Sequence, residues 1–491
     1  MPFCRPAITL SLDSKGFHKL GDSLFLKAFP PVPGEEGERT TLRYDGPQFQ
    51  LAALGVGLAV SSQGEKGAKR QIVSAETVRF GRWESPLASD GPDIALLESL
   101  CPGLDAGAFD LAVVASESLN VRTYQAGEAR ICLECGESAT QSGLAPLFRV
   151  VISGPVRSWS RLLRLARLIG QTAACDLLQS EGEPSLILAQ GLAGCARKSR
   201  RLILQKKETP GLALRRIARM GLEQIAANRP LVMSQGEETI EGVHQMRVGV
   251  RRLRSALSLF RPLLTPEDSQ RVLSELKELG SRLGPMRDRD VFLGAILGPV
   301  RLLAPEHEGL EALEEQLSAE RGGMLEQARQ ALEPGRFASF TLDLLEWSEN
   351  GTTSAKGDLV DFANAALDKR HSKLMKSGRD FERLDALKRH ALRIRGKKMR
   401  YAGEFLQSLY PGAKTKRYLE SLTGLVDVLG HLNDIAVARR VLEERRETSA
   451  DTALHHGIGF AEGWHAGRAG LLEEQALAAW EDFRRQEKFW R

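Results

Sequence analysis

Residues 244–254, HQMRVGVRRLR, set one histidine and four arginines in eleven positions with no acid among them. On a helix at 100° per residue, His244, Arg247, Arg251 and Arg254 fall within about 80° of one another and run about 15 Å along the axis. Met246, Val250, Leu253, Leu257 and Phe260 fall on a separate face. The spacing therefore predicts a helix that buries one side and presents cations on the adjoining side. A solvated helix face ordinarily mixes signs at i,i+4, because like charges there repel. Residues 242–262 hold five arginines and no acid, so the stripe costs stability unless an anion neutralises it. Guanidinium forks pair with phosphate oxygens two at a time, and a stripe of this length suits a linear chain of phosphates better than one small anion.

The stripe occurs twice. Displaced by 146 residues, HQMRVGVRRLRSALSLF falls on HALRIRGKKMRYAGEFL (390–406), and 13 of 48 ungapped positions are identical. His244 meets His390, Arg247 meets Arg393, Arg251-Arg252 meet Lys397-Lys398, and Arg254 meets Arg400. Further on, Arg271 meets Arg417, Leu283-Gly284 meets Leu429-Gly430, and Asp288 meets Asp434. A duplication of this kind predicts two copies of one helical unit about a pseudo-twofold axis. Residues 389–403 again carry six Lys/Arg and no acid. Asp288, Asp290 and Asp434 are the acids that could pair with these cations from another helix. Each histidine can donate to phosphate, more so when protonated, and a purely structural role stays open for both. Nucleic-acid binders add aromatic stacking platforms. The stripes carry almost none, with Tyr401 and Phe405 in one copy only, so phosphate without bases is the more economical ligand.

The elements that must carry these residues change character near residue 200. Before it, short apolar stretches alternate with Gly, Pro and Ser: AITLSL (7–12), GLAV (57–60), FDLAVVAS (109–116), ARICLEC (129–135) and LFRVVISG (147–154). They predict strands of an antiparallel sheet, with a helix over 159–178 and a last strand within 197–211 running into a linker. After residue 211, apolar residues recur at helical spacing over 212–228, 243–264, 270–283, 309–333, 359–375, 386–410, 417–430 and 433–446, with one more helix at 463–487. The expected organisation is α+β and multidomain: a β-rich domain over 1–204 and an all-α domain over 205–491, with copies at about 212–297 and 358–443.

Composition agrees with a soluble globular chain, 42% apolar and 27% charged. The net charge of +5 arises after residue 200, where 47 Lys/Arg face 42 Asp/Glu, against 21 and 21 before it. Of six cysteines only Cys132 and Cys135 are close, and a single CxxC is thin support for a metal or redox site. No signal pattern and no membrane-spanning run stands out, so a cytoplasmic location without membrane contact is expected.

The two stripes resemble the CHAD family, the conserved-histidine α-helical domain. Its pattern of H-x-x-R-V/I-x-x-[KR]-[KR]-x-R followed by L-G-x-x-[RN]-D is matched by HQMRVGVRRLR with LGPMRD and by HALRIRGKKMR with LGHLND, over roughly 205–445. The resemblance implies two pseudo-symmetric four-helix bundles with a basic groove, and binding of inorganic polyphosphate at cellular granules without catalysis. It nominates His244, Arg247, Arg251, Arg252, Arg254, His390, Arg393, Lys397, Lys398 and Arg400 as ligand contacts, with Arg271 and Arg417 as weaker ones. RYDGPQFQLAALGVGLAV (43–60) and GRWESP (81–86) resemble CYTH domains, the triphosphate tunnel metalloenzymes, which implies a β-barrel-like N-terminal domain. This chain departs from that pattern at the chemistry. The opening acidic strand reads AITLSL, the basic pair reads Ala59-Val60-Ser61 after Leu58, Ser74 stands at a tunnel lysine, and the late acidic strand reads LFRVVISG with Arg149. Glu134 is one of few candidate acids left. Triphosphate chemistry on Mg²⁺ or Mn²⁺ needs several carboxylates. The expectation is therefore no catalytic residues, no metal and no cofactor. Two alternatives stand beside it: a metal-dependent triphosphatase or polyphosphatase in the N-terminal domain, and an RNA- or nucleoid-binding protein.

Overall fold

The computed structural model describes residues 3–54, 56–63, 69–75, 81–87, 91–101, 104–178, 181–191, 195–199, 202–234, 236, 238–350 and 357–491. By compactness the chain divides into two units that interleave in sequence: Met1–Arg201 with Leu222–Gln245 and Leu332–Glu349, and Leu202–Gly221 with Met246–Ala331 and Asn350–Arg491. The sequence reading draws a single boundary at 204 instead.

The first unit is built on one antiparallel sheet. Its strands are β1 (Phe3–Cys4), β2 (Ala7–Leu12), β3 (Pro31–Asp45), β4 (Val56–Gln63), β5 (Arg70–Ala75), β6 (Gly81–Pro86), β7 (Ala112–Ala126), β8 (Ala129–Thr140), β9 (Gly143–Ser153) and β10 (Cys175–Leu178), in the order β1-β6-β5-β4-β3-β7-β8-β9-β2-β10. The sheet curls, and its alternation puts polar groups on the inner face. Pairings Glu134↔Arg149 and Arg43↔Ala115 set Arg43, Glu117, Glu134 and Arg149 on that face. Their neighbours Leu133, Val150, Ile152 and Leu10 point the other way and are buried. Helix α1 (Trp159–Thr172) covers that apolar face against β2 and β9, with Leu162, Leu163, Ala166 and Ile169 fully buried. The helix expected over 159–178 ends at Thr172, and residues 175–178 instead pair with β2, which presents a free edge after β9 is satisfied. The strand expected within 197–211 is absent from the described residues; a turn at 206–208 leads into the next helix at Pro210. A short helix α2 (Glu183–Ala189) abuts β7, β8 and β9.

The rest is helical: α3 (Pro210–Met233), α4 (Thr239–Phe260), α5 (Pro266–Val291), α6 (Glu308–Ala331), α7 (Pro334–Asn350), α8 (Leu359–Ser377), α9 (Ala386–Leu406), α10 (Ala413–Thr448) and α11 (Thr452–Arg484). Two runs of four repeat at nearly the offset seen in the sequence: Pro210 against Leu359, Thr239 against Ala386, Pro266 against Ala413, and Glu308 against Thr452 as starting residues. Proline at the first position opens α3 and α5, where no backbone N–H is needed. Asp385 caps α9 by accepting from Lys388 N at 2.8 Å. The apolar faces fall as expected: Met246, Val250, Leu253, Leu257 and Phe260, and Leu392, Met399 and Leu406, are buried. Two differences stand out. Residues 417–430 and 433–446 belong to one continuous helix, because nothing in GHLND breaks it. Helix α7 was not expected, since its Phe and Leu residues are flanked by Pro-Gly and Asn-Gly turn signals that read as loop.

Candidate functional site

The second unit brings the two stripes together. Arg251 on α4 lies close enough to Arg393 and Lys397 on α9 to depress both. Its own neighbours Arg247 and Arg254 complete the first copy, and Arg400 the second. Acids come from the following helices: Arg247 Nη2 donates to Asp288 at 3.1 Å, Arg393 reaches Asp434 at 3.6 Å, and Arg400 reaches Asp427 at 3.6 Å. Asp288 and Asp434 thus pair across from their stripes in both copies. Asp290 instead turns away to Arg321 at 2.5 Å.

The pairing leaves cations over. Among the described residues no carboxylate lies within 4.0 Å of Arg251, Arg254 or Lys397, and Arg251 Nε is buried without a partner. Burial, opposed by Asp288 and joined by Arg251, Arg287 and Arg254, pushes the Arg247 guanidinium below its usual range. Burial, then Arg393 and Arg251, bring the Lys397 ammonium down to about 7. Half-buried like charges that depress one another are unfavourable in isolation. They form a cluster of cations drawn from both repeats.

A glycine on the next helix lies beside a stripe arginine in each repeat. A Cβ at Gly284 would stand 2.7 Å from Arg247 Nη1, and one at Gly430 would meet the Arg393 guanidinium at 3.7 Å. At Gly284 a side chain would press on its arginine, whereas at Gly430 the approach is ordinary van der Waals contact.

The first unit holds a second polar constellation. A cavity of about 220 Å³ lies on the inner face of the curled sheet, lined by Arg5, Arg39, Arg70, Arg82, Arg130, Glu35, Glu84 and Glu134 among others. Its carboxylates are already engaged. Glu134 pairs with Arg39 and Arg149, Glu84 with Arg82, and Glu35 with Arg130 at 2.6 Å. Deeper, Glu117 accepts from Arg43, from Arg149 at 2.7 Å and from Ser185 Oγ at 2.6 Å, while Glu181 pairs with Arg82. Burial alone would raise the Glu117 carboxyl, but Arg149 and Arg43 hold it well below the usual range. Glu134 moves the same way, against burial, through Arg149 and Arg39. A divalent ion needs carboxylate oxygens free to coordinate it. Here the acids are saturated by guanidinium, and no three His, Cys, Asp or Glu among the described residues form a metal cluster. The residues do not fit a divalent cation. Glu117, Arg39, Arg43 and Arg82 were not singled out in the sequence; their alternation within β3, β6 and β7 is the signal that places them on one face.

The matched stripes, the glycine steps and the repeat agree with the comparison to protein-family models, which matches the CHAD domain over residues 216–443. Residues 216–443 are a CHAD domain. The crystal structure of the CHAD domain from the plant Ricinus communis aligns at 28% identity and TM-score 0.53, covering 60% of this chain and 98% of that one. PptA from Streptomyces chartreusis aligns at 17% identity and TM-score 0.45, over 56% of this chain and 100% of that one. A putative adenylyl cyclase from Hippeastrum, described as having a dominant triphosphatase activity, aligns at 12% identity and TM-score 0.27, over 38% of this chain and 96% of that one. A comparison with curated protein sequences gives no match.

Within the CHAD domain the nominated residues are not equivalent. Arg252 turns aside: it donates to Glu404 at 2.7 Å and stacks on Phe405 at 5.3 Å, so it ties α4 to α9. Lys398, Arg254 and His390 are exposed, and the His390 imidazole Nδ1 pairs with Asn433 Oδ1. Arg271 and Arg417 are exposed on α5 and α10, with no ion pair among the described residues. His244 lies one turn before Arg247 on α4, in the stretch of that helix assigned to the first unit. The sequence did not point to Arg370. From α8 it donates to Lys398 O at 2.8 Å and to Ser255 O at 3.4 Å, joining α9 and α4. Burial brings it down to about 10.

Proposed function

We propose that the CHAD domain binds inorganic polyphosphate without catalysing its turnover. The observation that carries this reading is the meeting of Arg251, Arg393 and Lys397 from two different repeats with fewer acids than cations around them. A polyanion with evenly spaced charges can neutralise both stripes at once, which a single phosphate cannot. Phosphate without bases is favoured because Tyr401 and Phe405 are buried and leave no stacking platform beside the stripes. The saturated carboxylates of the N-terminal cavity count against metal-dependent triphosphate hydrolysis there. No helix among the described residues is long and apolar enough to cross a membrane. Residence at polyphosphate granules in the cytoplasm follows from the ligand and is part of the proposal. The test is a titration of the full chain with long-chain polyphosphate and with poly-U RNA at two salt concentrations. Tight polyphosphate binding with RNA tens of times weaker supports the reading. Equal affinities would mean that the stripes read only charge density, and would return a nucleic-acid role to the front.

A further inference from the structure

The two repeats are nearly symmetric in their groove cations, with one telling exception. Arg247 answers to Arg393 and Arg254 to Arg400, but Arg251 answers to Lys397. These two unlike residues lie near one another where the stripes meet. An arginine keeps its charge in any protein environment, whereas a lysine in a crowded, half-buried site can release its proton. Lys397 faces Arg251 from α4, Arg393 and Arg400 from its own helix, and Asp434 from α10. Asp434 is already paired with Arg393 at 3.6 Å, and Asp427 with Arg400 at 3.6 Å. From α5, Asp288 serves Arg247. Among the described residues no carboxylate sits within 4.0 Å of the Lys397 amine, so guanidinium groups dominate its surroundings.

Building on the polyphosphate reading, we propose that Lys397 is a proton-linked ligand: its amine is neutral in much of the empty population and takes up one proton as phosphates enter the groove. The balance is simple. Solvent supplies the proton, the phosphate oxygens supply the counter-charge, and no covalent bond changes. The depressed ammonium, brought to about 7 by burial and by Arg393 and Arg251, agrees with this geometry. Bound phosphate cancels the repulsion from Arg393 and Arg251 and accepts the hydrogen bonds that burial denied the amine, returning it toward the ordinary lysine value of about 10.4. Binding above neutral pH therefore consumes a proton and weakens as pH rises, by up to tenfold per pH unit for one linked proton. Below neutral pH the lysine is already charged and this dependence disappears.

The experiment is calorimetric titration of the full chain with long-chain inorganic polyphosphate at pH 8.5, in two buffers of different ionisation enthalpy. The wild type should take up close to one proton per bound protein. Its affinity should fall about tenfold per unit between pH 8 and 9. Lys397→Arg should bind with no proton uptake and with the same affinity at both pH values. Wild-type binding without proton uptake would overturn the proposal, as would uptake that persists undiminished in Lys397→Arg. Absence of polyphosphate binding at every pH would instead remove the reading on which the proposal rests, and the proposal with it.

Discussion

Replacing Arg251 and Arg393 together by alanine removes one central cation from each repeat. Six cations make up the cluster: Arg247, Arg251, Arg254, Arg393, Lys397 and Arg400. If each neutralises one phosphate, log K falls with log salt at a slope of about −4, taking about 0.7 per contact as for a single-stranded polyanion. A threefold rise in salt then weakens binding about 100-fold. The double substitution should flatten the slope by about 1.4, and each single substitution by about 0.7. At low salt the double loss of charge-assisted contacts should cost about 3–6 kcal/mol, at least a hundredfold in affinity. Met246, Val250 and Leu253 on one helix and Leu392, Met399 and Leu406 on the other bury the apolar faces without either arginine, so helix content should hold. The assay is fluorescence anisotropy of end-labelled long-chain polyphosphate at four salt concentrations, with circular dichroism as the check on folding. If the double variant keeps the wild-type slope while remaining folded, the meeting of the stripes is not the binding site. If only one of the single substitutions flattens the slope, a single repeat does the binding and the ligand does not span both.

Three further outcomes follow from the geometry. Gly284→Ala should displace the Arg247 guanidinium, which lies 2.7 Å from the new Cβ, and weaken polyphosphate binding severalfold with little change in melting temperature; Gly430→Ala, with its 3.7 Å approach, should do less, and anisotropy with thermal melts compares them. Glu117→Gln should destabilise the fold by about 3–5 kcal/mol, because Arg43 and Arg149 stay buried with their shared carboxylate gone; scanning calorimetry should show a lower melting temperature. Glu117 and Glu134 have folded values below their unfolded ones, so their stabilisation is complete above the unfolded carboxylate value of about 4.3 and is lost progressively as pH falls from there through the lowered folded values; melts followed from pH 5 to pH 2 should show the first unit losing stability across that window.

What was legible in the sequence, and what was not, follows from the range of each interaction. The stripes, their apolar faces and the repeat are properties of spacing along one helix, and the helices form with those faces buried. Which acid meets which arginine is a property of the next helix. The register could suggest Asp288 and Asp434 because they recur at the repeat offset, yet it put Asp290 with them, and Asp290 pairs elsewhere with Arg321. Arg252 looked like its neighbour Arg251, but one residue is a 100° turn on a helix, enough to aim it at Glu404 instead of the groove. In the sheet the difficulty was different. A strand is ordinarily read for the apolar face that will be inside, and here that face packs outward on α1 while the inner face is charged. Counting acids in the strands located Glu134 and overlooked Glu117, whose same-face neighbours Ala115 and Leu119 are apolar and give no sign of a charged inner face.

The same physical test separates function from structure in both units. In the curled sheet, arginine and glutamate are matched nearly one to one and sealed from water: Arg149 and Glu117 are at most 1% exposed. Such a lattice satisfies itself and has nothing left to offer a cation. Arg370 belongs to the same class by other means, because two backbone carbonyls absorb its donors and hold the two stripe helices together. The cation cluster fails the test. Its cations outnumber their acids, Arg247 and Arg393 are held below their usual range by burial and like charge, and both keep partial access to solvent. A chain that can place Glu134 against Arg39 so closely could have placed an acid against Arg251, and none is there among the described residues. The uncompensated charge costs the empty protein stability, and Lys397 limits that cost by giving up its proton. Replacing Lys397 by methionine should therefore raise the melting temperature of the ligand-free protein near pH 6, where the lysine is charged, and change it less at pH 9, where it is not. An equal gain at both pH values would mean that the lysine stem, and not its charge, is what the fold resists.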